Sequence, residues 1–221
     1  DKGVQLVEDC AQAQGARWKG ARVGTFGDAA CFSFFPSKAL GCFGDGGAMT
    51  AKDAAVRERQ RMYANHGRLA KFDHVVEGIN SRLDALQAGV LRAKLPLLDE
   101  RNALRRQAAR WYAEELAGVK AVTLPSTPAS AEAVWHVYAI RVKDRNGLQK
   151  HLKSQGIETG LHYSKALHLQ PAYAHLGKGA GSFPEAEKAF QEELSLPMYP
   201  TISREQVAEA AKAVREFLTD R

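Results

Sequence analysis

Ala29-Ala30-Cys31-Phe32-Ser33-Phe34-Phe35-Pro36-Ser37-Lys38 is an apolar run that stops at a proline and delivers a lysine two residues later. Proline fixes φ and has no N–H to give a ladder, so a strand over Ala29–Phe34 has to end there. In an open α/β sheet ligands gather beyond the carboxyl ends of strands, which is where Ser33, Ser37 and Lys38 would lie. Upstream, Val4-Gln5-Leu6-Val7 reads as a second short strand ending at Glu8-Asp9, with Gln12 just beyond. Two strands therefore aim an acid and an amine at one edge of a sheet.

Outward from this pair, residues 4–8, 29–34 and 47–50 are short and nearly continuously apolar, the pattern of strands buried on both faces. Gly41-Cys42-Phe43-Gly44-Asp45-Gly46-Gly47 is too rich in glycine for a regular element and suits a close backbone turn. Residues 52–64 read as a charged helix broken by Asn65-His66-Gly67. The loop Gly78-Ile79-Asn80-Ser81-Arg82 opens the longest helical pattern, with Leu83, Leu86, Val90, Leu91 and Leu95 at helical spacing. Pro96 interrupts that pattern, which resumes to Leu116.

Pro125-Ser126-Thr127-Pro128-Ala129-Ser130 is the best candidate linker. Beyond it the spacing predicts strands at 134–142 and 157–162, and helices at 146–154 and 184–193. A C-terminal helix is capped by Ser203 and Gln206, with Val207, Ala210, Ala211, Val214, Phe217 and Leu218 on one face. The expected organisation is α/β: residues 1–120 the end of a large mixed-sheet domain with a long connecting helix, residues 121–221 a smaller α+β domain.

The chain has 221 residues, 45% of them hydrophobic, enough for a real core, and no apolar run long enough to span a bilayer. A net charge of +6 invites a nucleic-acid partner, but Arg101, Arg105, Arg106 and Arg110 alternate with Asp99, Glu100, Glu114 and Glu115 in the mixed pattern of a solvated helix face. A mild positive field also suits an anionic small molecule. Cys10, Cys31 and Cys42 lack CxxC spacing and read as reduced thiols of a cytoplasmic protein. The start at Asp1-Lys2-Gly3, directly before a strand, reads as the C-terminal part of something longer.

A lysine at a strand end becomes a nucleophile only if its surroundings make it one; taken alone Lys38 reads as an ordinary surface lysine, and the flanking aromatics and glycines bring the two readings level. A serine–lysine hydrolase would need serine three residues earlier, where Phe35 stands. No glycine cluster is followed by the Lys-Ser/Thr of a phosphate loop, and no histidines or cysteines have metal-ligand spacing. An amine for an aldehyde, a carboxylate for a ring nitrogen and a hydroxyl for a phosphate are the needs of pyridoxal phosphate, and Lys38, Asp9 and Ser33 are one of each.

With these residues in place the sequence resembles the DegT/DnrJ/EryC1/StrS family of pyridoxal-phosphate-dependent sugar aminotransferases. The resemblance is carried by Val7–Ala16, Gly27–Lys38, Gly44–Gly47, Asn65-His66-Gly67, Gly78–Ala88, His162-Tyr163, Leu167–Tyr173, Phe183-Pro184 and Ser195–Pro200, in order along almost the whole chain. It implies a fold-type I aminotransferase in which Lys38 holds the cofactor and shuttles the proton. Asp9 would pair with the pyridine nitrogen, Gln12 would lie against the ring or its hydroxyl, and Ser33 would bind the phosphate. Asn80 would reach the phosphate of a neighbouring subunit's site, implying a homodimer. Arg82, His162 and Tyr163 would lie on the substrate side. The alternatives make Asn80 or Ser81 a helix cap, Gln12 a plain helix residue and His162 a satisfied core or interface histidine.

The implied reaction moves an amino group from glutamate to a nucleotide-linked keto sugar. Phe34–Cys42 looks most like members acting on UDP-linked 3-keto or 4-keto N-acetyl sugars. Related dehydratases carry histidine in place of the lysine, so Lys38 argues against that reaction. A non-catalytic scaffold is the remaining alternative. The family's N-terminal part, with its phosphate cup and stacking ring, has no counterpart here, so an incomplete site and an exposed sheet edge are expected.

Overall fold

The computed structural model describes residues 3–219, so Asp1 and Lys2 lie outside the described residues. The chain divides into two compact units: residues 1–103 with 127–136, and residues 104–126 with 137–221. The proline-containing segment 125–130 therefore runs from the second unit back into the first.

The first unit is built on a mixed sheet of β1 (Val7–Asp9), β4 (Ala29–Ser33) and β5 (Gly47–Ala51), in the order β1-β4-β5. β1 and β4 are parallel, with Asp9 beside Cys31, while β5 returns antiparallel with Gly47 beside Ser33. Between β1 and β4 lie β2 (Arg17–Trp18) and β3 (Ala21–Arg22), and β2 also pairs with β8 (Ala131–Glu132). Helix α1 (Ala54–Tyr63) follows β5, with the Asp53 carboxylate accepting from the N–H groups of Ala55 and Val56 at its start. A bulged hairpin, β6 (Arg68–Ala70) and β7 (Asp73–His74), leads to α2 (Ala85–Lys94). A short 3-10 turn at Leu95–Leu97, set by Pro96, separates α2 from α3 (Leu98–Glu115), so the expected interruption is one turn deep. Leu40, Cys42, Leu91 and Leu98 form a small core, with Phe34 and Ala39 against it.

Four expectations for this unit are corrected. The apolar strands are not buried on both faces: Val4, Leu6 and Val7 are 81%, 54% and 61% exposed, because β1 stands at the sheet edge. Regular pairing also begins only at Val7, since the Leu6 N–H is taken by the Asp28 carboxylate and its carbonyl by the Asp28 N–H. Neither Asn80 nor Ser81 caps α2, whose N-cap position is Asp84, and Gln12 lies in a turn rather than a helix.

The second unit contains a two-stranded antiparallel sheet, β9 (Tyr138–Arg141) with β10 (Glu193–Leu196), and the helices α4 (Arg145–Ser154), α5 (Pro184–Glu192) and α6 (Arg204–Thr219). Its core is dense: Ile140, Leu148, Leu152, Leu194, Val207 and Val214 are each 0% exposed. Tyr112 of α3 stacks on Tyr138 at 4.9 Å and donates to the Pro197 carbonyl at 2.9 Å. Burial pushes the Tyr138 phenol up to about 12. Ser203 and Gln206 form the expected capping box at α6, at 3.0 and 3.2 Å. Residues 157–162 do not form the expected strand. Gly160 bridges Ser195, and the next ladder position fails because the His162 N–H turns to the Glu193 carboxylate instead.

Candidate active site

Parallel pairing of β1 with β4 puts both carboxyl ends at the same edge of the sheet. Asp9 closes β1 and accepts from the Ala11 N–H at 3.0 Å, which starts the turn holding Gln12. Ser33 closes β4, its hydroxyl facing the Phe35 N–H at 3.3 Å. Lys38 follows in a turn whose N–H donates to the Phe35 carbonyl at 2.9 Å.

The turn is narrow because a side chain is absent from Gly41. A Cβ there would lie 2.5 Å from the Pro36 carbonyl oxygen and 2.7 Å from that of Phe35, so only glycine lets the chain fold back so closely. Lys94 locks the far side by donating to the Gly41 carbonyl at 2.6 Å. Lys38 itself is half-buried, and among the described residues no side-chain hydrogen bond or ion pair holds its ammonium.

Residues with no assigned part in the sequence reading set this geometry. Glu8, beside Asp9, points the other way and accepts from the N–H groups of Gly24, Phe26 and Gly27 at 2.7, 2.8 and 2.7 Å. Partial burial pushes its carboxyl up, but those three donors and Lys52 outweigh burial and leave it below its ordinary range. Glu8 thereby fixes the loop that launches β4 and with it the register of the two strand ends. On the other side, the buried Gln14 amide donates to the Ser33 carbonyl, and Asn102 of α3 donates to the Gln14 carbonyl at 2.9 Å. Burial, with Glu8, Asp9 and Cys31 nearby, raises the Cys10 thiol and keeps it protonated next to the site.

Asn80 and Arg82 lie in the loop before α2 and meet each other, Arg82 Nε donating to Asn80 Oδ1 at 3.0 Å. Arg82 lines a cleft of about 690 Å³ with Arg57, Arg61 and Asp45, a cleft whose lining does not include Asp9, Ser33 or Lys38. His162 and Tyr163 belong to the second unit, with their rings edge to face at 5.6 Å. The structure thus ends β1 at Asp9 and β4 at Ser33 on one edge of the sheet with Lys38 in the turn beyond, pairs Asn80 with Arg82, and pairs His162 with Tyr163.

The residues at the two strand ends fit the cofactor that the sequence suggested: a carboxylate, a hydroxyl and a free amine come from adjacent strand ends, with the amine uncommitted. A lysine-bearing turn at the carboxyl edge of a mixed sheet is the fold-type I aminotransferase arrangement. The chain belongs to the DegT/DnrJ/EryC1/StrS aminotransferase family, whose sequence pattern matches residues 1–215.

Among its relatives it is 50% identical over 92% of its length to the erythromycin biosynthesis sensory transduction protein EryC1 of Saccharopolyspora erythraea. It is 45% identical over 97% to the dTDP-3-amino-3,4,6-trideoxy-alpha-D-glucose transaminase of Streptomyces venezuelae. It is 43% identical over 98% to the UDP-N-acetyl-3-dehydro-alpha-D-glucosamine 3-aminotransferase of Acidithiobacillus ferrooxidans. The crystal structure of S. venezuelae DesV in complex with a ketimine intermediate superposes with a TM-score of 0.95 at 44% identity, over 98% of this chain and 58% of that one. The chain spans only 56–58% of the length of these three relatives. No helix among the described residues is long and apolar enough to cross a membrane.

Proposed function

We propose that this chain carries the lysine-bearing part of a pyridoxal-phosphate-dependent aminotransferase that transfers an amino group from glutamate to a keto sugar linked to a nucleotide. The observation that carries the reading is the parallel β1–β4 register, which sets Asp9 beside Cys31, with Ser33 closing the same strand and Lys38 in the turn beyond. When bound, pyridoxal phosphate would supply the electron sink. Asp9 would keep a proton on the ring nitrogen, and the Ser33 hydroxyl would donate to the phosphate. Gln12 would lie against the ring. Lys38, with its amine uncommitted, would hold the aldehyde carbon and carry the proton between the reacting carbons. Asn80 and Arg82, which meet each other rather than Lys38, would serve the site of a second subunit in a homodimer. His162 and Tyr163 would face the sugar.

The test is Lys38→Ala in the chain completed to the length of its relatives, assayed with glutamate and a panel of UDP- and dTDP-linked keto sugars. Transamination by the parent and none by the variant is the expected result; equal activity in both overturns the reading. On the finer point we favour a UDP-linked 3-keto or 4-keto N-acetyl sugar, supported by the Phe34–Cys42 run and by the A. ferrooxidans relative. The S. venezuelae relative is named for a dTDP sugar, so turnover of dTDP substrates alone would overturn that choice. The similarity to a protein named for sensory transduction motivates a second reading, a regulatory role without catalysis. Under it the regulated output would survive Lys38→Ala.

A further inference from the structure

His162 stands at the head of a chain of side chains that the sequence reading did not connect. Glu193 and Ser195, two apart on β10, share one face of the strand, while Leu194 and Leu196 point to the other. Gly160 bridges Ser195 through two backbone hydrogen bonds of 2.9 Å, so His162, two residues on, returns to that same face. The Ser195 hydroxyl donates to Glu193 Oε1 at 2.6 Å and lies 2.9 Å from His162 Nδ1. Glu193 Oε2 accepts the His162 backbone N–H at 2.8 Å. One carboxylate therefore fixes the main chain directly and the ring through the serine.

The proton count settles the ring. A serine hydroxyl has one hydrogen, and Ser195 spends it on Glu193, so toward His162 it can only accept. Nδ1 must carry the ring proton, and in the neutral imidazole Nε2 is then a bare acceptor. Glu193 and Ser195 are 8% and 4% exposed, so water does not compete for these bonds, whereas His162 is exposed. Gly160 leaves the space the ring needs, since a Cβ there would lie 2.7 Å from His162 Cε1.

We propose that Glu193 and Ser195 are positioning residues that lock His162 as its Nδ1–H tautomer and present Nε2 to accept a hydrogen bond from a hydroxyl of the sugar substrate. In the neutral form the outward Nε2 has nothing to donate, so in that form this point recognises a hydroxyl rather than the diphosphate or the carboxylates of the amino donor. The substrate half of the proposal rests on the aminotransferase reading above; the tautomer does not.

The experiment is long-range ¹H–¹⁵N correlation of the histidine side chains of the full chain, in alkaline buffer where imidazoles are neutral, with His162 assigned by His162→Gln. The Nδ1–H pattern is expected in the parent and in Ser195→Thr, which keeps the hydroxyl. Ser195→Ala should release the ring toward the Nε2–H form. An Nε2–H pattern in the parent overturns the proposal, and that spectrum needs no variant of Ser195 to fold. In kinetics of the chain completed to the length of its relatives, Ser195→Ala should raise KM for the keto sugar about tenfold, the worth of one hydrogen bond, and by more than it changes kcat. An unchanged KM for the sugar, or a rise confined to the amino donor, overturns the assigned recognition. A parent with no transamination would sink the aminotransferase reading and the hydroxyl subsite together, while the tautomer would still be decided by the spectrum.

Discussion

At the ends of β1 and β4 the candidate groups are set by main-chain geometry, whereas around β10 they are set by buried side chains. Asp9, Ser33 and Lys38 owe their placement to strand register, to a turn that only Gly41 can close, and to backbone donors gathered by Glu8. His162 owes its placement to a carboxylate and a hydroxyl, Glu193 and Ser195, that are themselves out of water. The surrounding sheets differ in the same sense. β10 is buried at every position, while β1 leaves its apolar Val7 61% exposed. A backbone-built site can leave its lysine uncommitted, because nothing about the lysine side chain is needed to hold the loop. A site built by side chains cannot lose one of them without losing its geometry.

That contrast can be broken at several points. Lys38→Arg keeps the charge but not the nucleophilic amine, so kcat should fall about 10²–10⁴-fold. The melting temperature should not move, because the ammonium holds no partner among the described residues. A large loss of stability would show that Lys38 is structural after all. Ile140→Ala, at a fully buried position of β9, should lower the unfolding free energy by about 2–5 kcal/mol in denaturant titration.

Gly41→Ala should cost about 1–3 kcal/mol, because the methyl meets two carbonyl oxygens that belong to the main chain and cannot swing aside. It should also displace Lys38 and reduce activity more than stability; an active, stable variant would show that the turn does not position the amine.

The smallest effect is at Glu8. Its carboxyl sits below the ordinary value of 4.5, so the charged form favours the folded state, and that contribution is complete above the ordinary value. It is lost as pH falls from there through the lower folded value. Glu8→Gln should therefore cost about 1 kcal/mol at neutral pH and flatten the acid limb of the stability curve below the ordinary carboxylate value. An acid limb as steep in the variant as in the parent would show that other carboxylates govern it.

How far the sequence reached follows the same division. Asp9, Ser33 and Lys38 were legible as positions because a strand that stops short of Pro36 and another ending at Asp9 fix where they fall along the chain. The interruption at Pro96 and the Ser203–Gln206 cap were legible for the same reason, each being decided within a turn of helix. Glu8 was not, because its three partners lie 16 to 19 residues on, in a loop with no pattern of its own. Asn102 meets Gln14 across 88 residues, and Glu193 meets His162 across 31.

The sequence by itself determined the family, the strand ends and the three residues that local breaks in the chain place at them. Only the tertiary structure decided which buried polar groups hold those ends in register, and which carboxylate and hydroxyl meet His162. The physical reason is that proline, glycine and caps act on dihedrals a few residues away. A buried carboxylate or amide acts on whatever donor the fold brings to it, and nothing in its own neighbourhood along the chain says which donor that is.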